Sequence, residues 1–375
     1  MALSPQYGWA EPDNSSLVKN GAADIRTLGD AIDTSVWNVG YGQAGKNKIQ
    51  NADFSVNQRN LTSTTTSSAF MFDRWRTIYT GGTTTSSSQT FTPGTAPVAG
   101  YEGKNYLRIV TTSQSAVSDF ARFQQNIEGV RTFAGQNTTV SFWAKAASGT
   151  PKVAAAIVQT FGSGGGESAS VETLVGTVTL STSWVRYTIN VAVPSIAGKT
   201  FGPSINDDVL SLRLFTSGGS SVTSAQSIGL QNNTFDFWGV QWEYGSKATP
   251  FQTASGGSLT GELAMCQRYY WRNTNDAGTD VWLTAGLAAT TTLIYFGLQF
   301  PVKMRAIPTS IDYASPRFTN ALAAYTGGTL SLAGSATSTT STTIIYTHGS
   351  AALTLNNYYM AQTQASGYIG LSAEL

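Results

Sequence analysis

From Trp184 to Val193 the chain reads WVRYTINVAV. Val185, Tyr187, Ile189, Val191 and Val193 fall on one side of an extended backbone, and Trp184, Arg186, Thr188 and Asn190 on the other. A side-chain period of two is the mark of a half-buried β-strand. Similar runs recur as KIQNADFSV, YLRIVTT, FARFQQNI, TTVSFWAKA, KVAAAIVQTF, ETLVGTVTL, LSLRLFTS and FDFWGVQWEYG, with TGGTTTSSS, GSGGGES and TSGGSS read as loops among them. Many short strands joined by Gly/Ser/Thr-rich loops predict a β-sandwich of jelly-roll type over residues 46–255.

The flanking regions read differently. Residues 1–45 form a leader whose one convincing helix is LVKNGAADIRTLGDAID, with Asn20 as its N-cap and Asp24 in its first turn. Val18, Ile25 and Ile32 are seven residues apart and Leu28 follows Ile25 by three, a short a/d-like stripe. A helix this short needs a packing partner, either its own domain or copies of itself in a three-helix neck. GYGQAGKN then reads as a linker. After ASGGSLTG, the segment GELAMCQRYYWR suits a helical turn or a buried strand entry. The alternating stretches from TTTLIYFGLQFPVKM to YYMAQTQASGYIGLSAEL predict a second, smaller β-sandwich domain over residues 256–375. The expected class is all-β, a jelly-roll β-sandwich followed by a smaller C-terminal β-sandwich, with a short N-terminal helical leader.

Only 11% of the 375 residues are charged and the net charge is +1, which leaves no electrostatic case for nucleic acid or an anionic membrane. No apolar run reaches the ~20 residues of a membrane span, and the start has neither the basic nor the apolar region of a signal peptide, so synthesis in a cytosol without secretory export is expected. One Cys and one His exclude an intrachain disulfide and a Cys/His metal cluster. Low charge gives weak colloidal repulsion, which favours life in an assembly.

The same composition suits sugars, which are neutral, with apolar ring faces and hydroxyl rims. Aromatic planes stack on the faces while Asn, Gln, Arg and Asp bond the rims, in sites that are largely preformed. The chain has nine Trp, sixteen Tyr and seventeen Phe. Trp37, Trp184, Trp238 and Phe142 are read as packing. Trp143 alternates with Ser141 and Lys145 on the polar side of its strand, so it is either a platform for a ligand or a residue buried under loops or a neighbouring protomer. Trp75 and Tyr79, with Arg74 and Arg76 as donors, Tyr101 in a loop, and Trp282 and Tyr325 beside Gly/Thr loops are the other glycan-binding candidates. Chemistry that breaks glycosidic bonds needs paired carboxylates. Asp207-Asp208 reads as a turn, His348 as a strand-end residue, and GSGGGES lacks the Lys-Ser/Thr of a phosphate loop, so no catalytic residue is assigned.

Several segments resemble tailed-phage tail fibre and minor tail proteins: KNKIQNADFSVNQRN, FDRWR, AGYEGKNYLRIV, FARFQQNIEGVRTFAGQNTTVSFWAKAASGTPK, TFDFWGVQWEYGSKATPF, GELAMCQRYYWR and the leader NGAADIRTLGDAID. The resemblance covers most of residues 12–272. It implies a jelly roll similar to carbohydrate-binding modules, in a non-enzymatic virion protein of the tail fibre or tail tip. The implied partners are sister chains in a homotrimer, other tail proteins and a host cell-surface polysaccharide. It also implies a structural calcium between the first and last strands, at Asn51 or Asp53 and at Asp236; two carboxylates are few for an ion that takes six to eight oxygens. An architectural tail or capsid decoration protein and a polysaccharide depolymerase are the competing readings.

Overall fold

The computed structural model describes residues 2–5, 9–13, 17–39, 45–98, 101–204, 206–276, 278–320 and 322–375, with the side chains of residues 2, 34, 36–39 and 335 left out. The expected linker at 40–47 therefore lies mostly outside the described residues, as does the side chain of Trp37. The leader holds β1 (Ala2–Leu3), β2 (Ala10–Glu11) and α1 (Gly21–Val39). The sandwich holds β3 (Ser63–Thr64), β4 (Phe70–Phe72), β5 (Trp75–Thr80), β6 (Thr83–Thr90), β7 (Asn105–Thr112), β8 (Phe120–Glu128), β9 (Asn137–Ala146), β10 (Lys152–Thr160), β11 (Val171–Thr179), β12 (Val185–Ala192), β13 (Val209–Gly218) and β14 (Thr234–Tyr244). The C-terminal part holds α2 (Leu259–Gln267), β15 (Tyr270–Thr274), β16 (Val281–Ala288), β17 (Leu293–Gln299), β18 (Ser310–Thr319), β19 (Ala324–Thr326), β20 (Thr329–Thr337), β21 (Ser341–Thr347) and β22 (Tyr358–Ser372).

In the leader, Asn20 is not a cap. A 3₁₀ turn over Val18–Asn20 runs straight into α1, so Asn20 is already helical. Trp9 Nε1 donates to Ser35 Oγ and ties α1 to the short hairpin, while Val18, Ile25 and Ile32 are exposed.

Two six-stranded antiparallel sheets, β11-β10-β13-β8-β5-β4 and β12-β9-β14-β7-β6-β3, face each other across one core. Inward residues Val140, Phe142 and Ala144 of β9 and Phe235 and Phe237 of β14 meet Phe123, Leu212 and Ile157 of the opposite sheet. Two expectations fail here. KIQNADFSV is not a strand: Asn51 and Phe54 have positive φ, and the segment turns so that Ile49, Ala52, Phe54 and Val56 plug the core as buried side chains. TGGTTTSSS is not a loop: it supplies most of β6, whose small inward residues Thr84 and Ser86 fit the core, with Ser86 Oγ donating to Thr77 Oγ1 at 2.7 Å.

The C-terminal β-sandwich is one sheet, β19-β18-β22-β16-β17-β21-β20 with β15 also on β22, that curls until its ends approach. Phe318 of β18 and Tyr346 of β21 stack at 4.2 Å although four strand-to-strand steps separate them. A polar seam joins this sheet to the sandwich. Glu262 on α2 is buried and accepts from the backbone N–H of Asn51 (2.8 Å) and Ser255 (2.7 Å). Arg74 lies 3.4 Å above the Tyr269 ring and Arg59 3.6 Å above Tyr270, and Glu374 pairs with both guanidinium groups. Burial raises the Asp73 carboxyl to about 6, against the pull of Arg59 and Gln58.

Candidate functional site

Two of the faces that carry aromatic side chains on the outward side of a strand are finished differently. On the second sheet of the sandwich, β9 presents Ser141, Trp143 and Lys145 outward, and β14 places Trp238 directly opposite Trp143. A bulge between Trp238 and Gln241 keeps both outward while Phe237 and Trp242 point into the core. Gly239 in that bulge has φ +63°, and a Cβ there would sit 2.8 Å from Trp143 Cε3. The chain after β14 then folds back, so that Phe251 packs on Trp143 (5.9 Å), Trp238 (4.7 Å) and Tyr101 (5.2 Å). Arg186 closes the patch, with Cζ 4.6 Å from the Trp143 ring.

Trp143 is thereby 8% exposed and packs; it offers no platform. Trp75 is sealed at 1% in the core, its Nε1 donating to the Asn51 carbonyl, and Arg74 serves the interdomain seam. Tyr79 is half-buried and its hydroxyl donates to the Thr65 carbonyl. Tyr101 is half-buried and donates to Asp53 Oδ2 at 2.9 Å, with burial and that carboxylate raising its pKa. Phe142 and Trp238 are buried, in line with a packing role, and the half-buried Trp184 packs on Phe91 (5.6 Å) and Tyr106 (5.4 Å) at the outer face.

The side chains expected at a calcium site have other partners. Asp236 accepts from Arg108 Nε (2.7 Å) and Nη2 (2.9 Å), with Lys145 at 3.7 Å, so its negative charge is already met by two cations. Asp53 serves Tyr101 and the Ser55 N–H, and Asn51 spends its amide on the Val56 and Asp73 carbonyls. Among the described residues no group of three His, Cys, Asp or Glu side chains could hold a metal. The acids considered for catalysis hold loops: Asp207 accepts from Ser163 Oγ and Asp208 from the Val130 N–H. His348 Nδ1 lies 2.9 Å from the Ser350 carbonyl.

The second face belongs to the C-terminal sheet. Tyr358, Leu287, Tyr295 and Ile345 form one cross-strand row over β22, β16, β17 and β21. Trp282 lies five residues before Leu287, an odd spacing that would turn it to the opposite side. A bulge between Trp282 and Thr284 corrects this: Trp282 pairs with Gln362 and Leu287 with Tyr358, four residues apart on β22, so both look outward. Trp282 is 65% exposed and Tyr358 71%. Beside Trp282 runs a groove of about 400 Å³ lined by Trp271, Asn273, Thr284, Gly297 and Gln299, with no charged residue on its walls. Gly297 contributes by absence, since a Cβ there would meet nothing nearer than the Thr342 carbonyl oxygen at 4.0 Å. Trp271 is held from behind by Phe300 at 5.9 Å.

This groove pairs an open indole with amide and hydroxyl groups in a neutral surround, the donor–acceptor set that suits a sugar ring and its rim. Sequence reading picked out Trp282 but missed Trp271, Tyr295 and Tyr358. The alternation in TTTLIYFGLQF carried the signal for Tyr295, whose neighbours Ile294 and Phe296 are buried. Tyr325 lies elsewhere: it packs edge-on to His348 (5.4 Å) and Tyr359 (5.5 Å), and its hydroxyl donates to the Ala352 carbonyl.

No family model matches the chain, and no curated protein matches its sequence. Among solved structures it is similar to a protein described as "CBM4 structure and function" (17% identity over 52% of this chain and 99% of that one, TM-score 0.31). It is also similar to the family 11 carbohydrate-binding module of Clostridium thermocellum (12%, 50% and 97%, TM-score 0.29) and to a Stig cyclase from Fischerella sp. TAU (14%, 55% and 100%, TM-score 0.33). At this depth the likeness assigns neither a ligand nor an activity.

Proposed function

We propose that the chain is a non-catalytic binding protein and that the open face of its C-terminal sheet, centred on Trp282, holds a neutral glycan. The observation that carries the reading is the groove itself: an indole 65% exposed beside Asn273, Thr284 and Gln299, with no charge in the walls. Binding without bond cleavage is supported by the acids, since Asp73, Asp236, Glu262 and Glu374 are each engaged by cations or backbone donors. On this reading the protein works on a phage particle, in the tail fibre or tail tip, and the glycan is a host-surface polysaccharide. Support for that setting is the run of segments resembling tail proteins. The exposed, heptad-spaced Val18, Ile25 and Ile32 support a trimeric neck.

Two measurements test this. The full chain on an array of neutral glycans should bind a discrete subset, and Trp282→Ala should weaken that binding at least ~10-fold, the scale of ~1.4 kcal/mol for one stacked ring. Retained binding in Trp282→Ala defeats the groove. Mass photometry should find about three chains per particle; a monomer defeats the neck.

A further inference from the structure

We propose that the outer face of the first sheet carries an oxyanion site built from Arg76, Arg122 and Arg213. The site differs in place and chemistry from the neutral groove. Register sets Arg76 of β5 opposite Gln124 of β8, and Gln124 opposite Arg213 of β13, so both arginines flank one residue in a single row. Arg122, two residues before Gln124, shares its face. Adjacent strands lie ~4.8 Å apart, so the backbones of Arg76 and Arg213 are separated by ~10 Å, a gap two long side chains readily close. Arg122 is fixed between two rings, its Cζ 5.2 Å from Phe120 and 5.3 Å from Phe215.

The charges on this face do not balance. Arg213 Nη1 has Glu172 at 3.4 Å, and both oxygens of that carboxylate lie 2.8 Å from Ser224 Oγ and share its one proton. Among the described residues neither the Arg76 nor the Arg122 guanidinium has an ion pair or a hydrogen bond, and the buried Nε of Arg122 and of Arg213 has no acceptor. The next carboxylate, Glu374, is engaged by Arg59 and Arg74, and the carbonyl of Leu375 takes the Asn126 amide at 3.0 Å. Contrast Arg59, Arg74, Arg108 and Arg268, each of which has a carboxylate partner. Burial lowers the pKa of all three guanidinium groups, Arg122 to about 10; Arg213 and Arg76 lower Arg122 further against the pull of Glu172, and Arg74 and Arg213 lower Arg76 against the pull of Glu374. Each guanidinium offers five N–H donors in a planar fork that matches carboxylate, phosphate and sulfate oxygens. An oxyanion held by the outer Nη groups would relieve the mutual repulsion. Its source is either a free inorganic ion or the acidic group of a sugar.

Isothermal titration of the full chain with sodium sulfate, sodium glucuronate and glucose, at matched ionic strength, tests the site. The expected result is saturable binding of sulfate or glucuronate that is at least tenfold weaker in Arg76→Gln/Arg122→Gln, while the response to glucose is the same in that variant as in the parent chain. Stronger binding of glucuronate than of sulfate identifies an acidic sugar as the source; the reverse identifies a free ion. Removing like charges should leave the melting temperature unchanged or higher; if that double variant does not fold, Arg213→Gln gives the same readout. Absence of saturable binding up to ~10 mM of either anion, or equal binding by the folded variants, overturns the proposal. Loss of the neutral groove in Trp282→Ala leaves this result untouched, so the two sites fail independently.

Discussion

The second sheet of the sandwich and the C-terminal sheet both carry aromatic residues outward on antiparallel strands, with a bulge that aims a tryptophan. In the first, the chain returns and lays Phe251 across Trp143 and Trp238, and Gly239 leaves no gap beneath. In the second, Trp282, Tyr295 and Tyr358 stay open and Gly297 keeps a groove empty. A tryptophan on the polar side of a strand is thus ambiguous by itself. What decides its role is whether a later segment comes back to cover it.

Substitutions can break this contrast. The largest effect should come from Trp238→Ala, which removes a fully buried ring touching Trp143, Phe91, Tyr101 and Phe251. A loss of ~3–5 kcal/mol in urea unfolding is expected; a change below ~1 kcal/mol would mean that the outer aromatic layer does not pack. Next comes the seam between the two regions. Asp73 is raised from 3.8 to about 6 in the folded chain, so its contribution is fully present below about pH 4 and is lost as pH rises through about 6. The decline should be on the order of 2–3 kcal/mol at ~1.4 kcal/mol per unit. It should flatten in Asp73→Asn when stability is followed from pH 4 to 7, and an unchanged slope would remove Asp73 as its cause.

The glycines sharpen the contrast further. Gly239→Ala should cost ~1–3 kcal/mol, because its φ is positive and the added methyl meets Trp143. Gly297→Ala should stay within ~0.5 kcal/mol, as an open strand position does. Equal costs at the two sites would contradict the difference in cover. The smallest expected effect on stability, also within ~0.5 kcal/mol, belongs to Trp282→Ala.

Alternation made β7 to β14 legible, along with the helix of the leader and the β character of the C-terminal region. It failed where local rules and tertiary context part. Thr83–Thr90 has loop-like composition, yet its inward positions need only small residues, which Thr84 and Ser86 supply. Ile49 to Val56 has strand-like composition, yet it turns at Asn51 and Phe54 to close the end of the core. The site was only partly legible for a related reason. Trp282 and Trp143 look alike in sequence, and the cover over one comes from Phe251, more than a hundred residues downstream. The arginine triad was hidden because its members lie on three strands that are neighbours only in the sheet.

The most direct measurement is hydroxyl-radical footprinting of the full chain with and without the best-binding neutral glycan from the array. Bound glycan should protect Trp282, with Tyr295 and Tyr358 beside it, and leave unchanged Tyr106 of β7 and Trp184, which pack edge-on at 5.4 Å on the sandwich face. Protection confined to Tyr106 and Trp184, with Trp282 still oxidised at its free rate, would contradict the account.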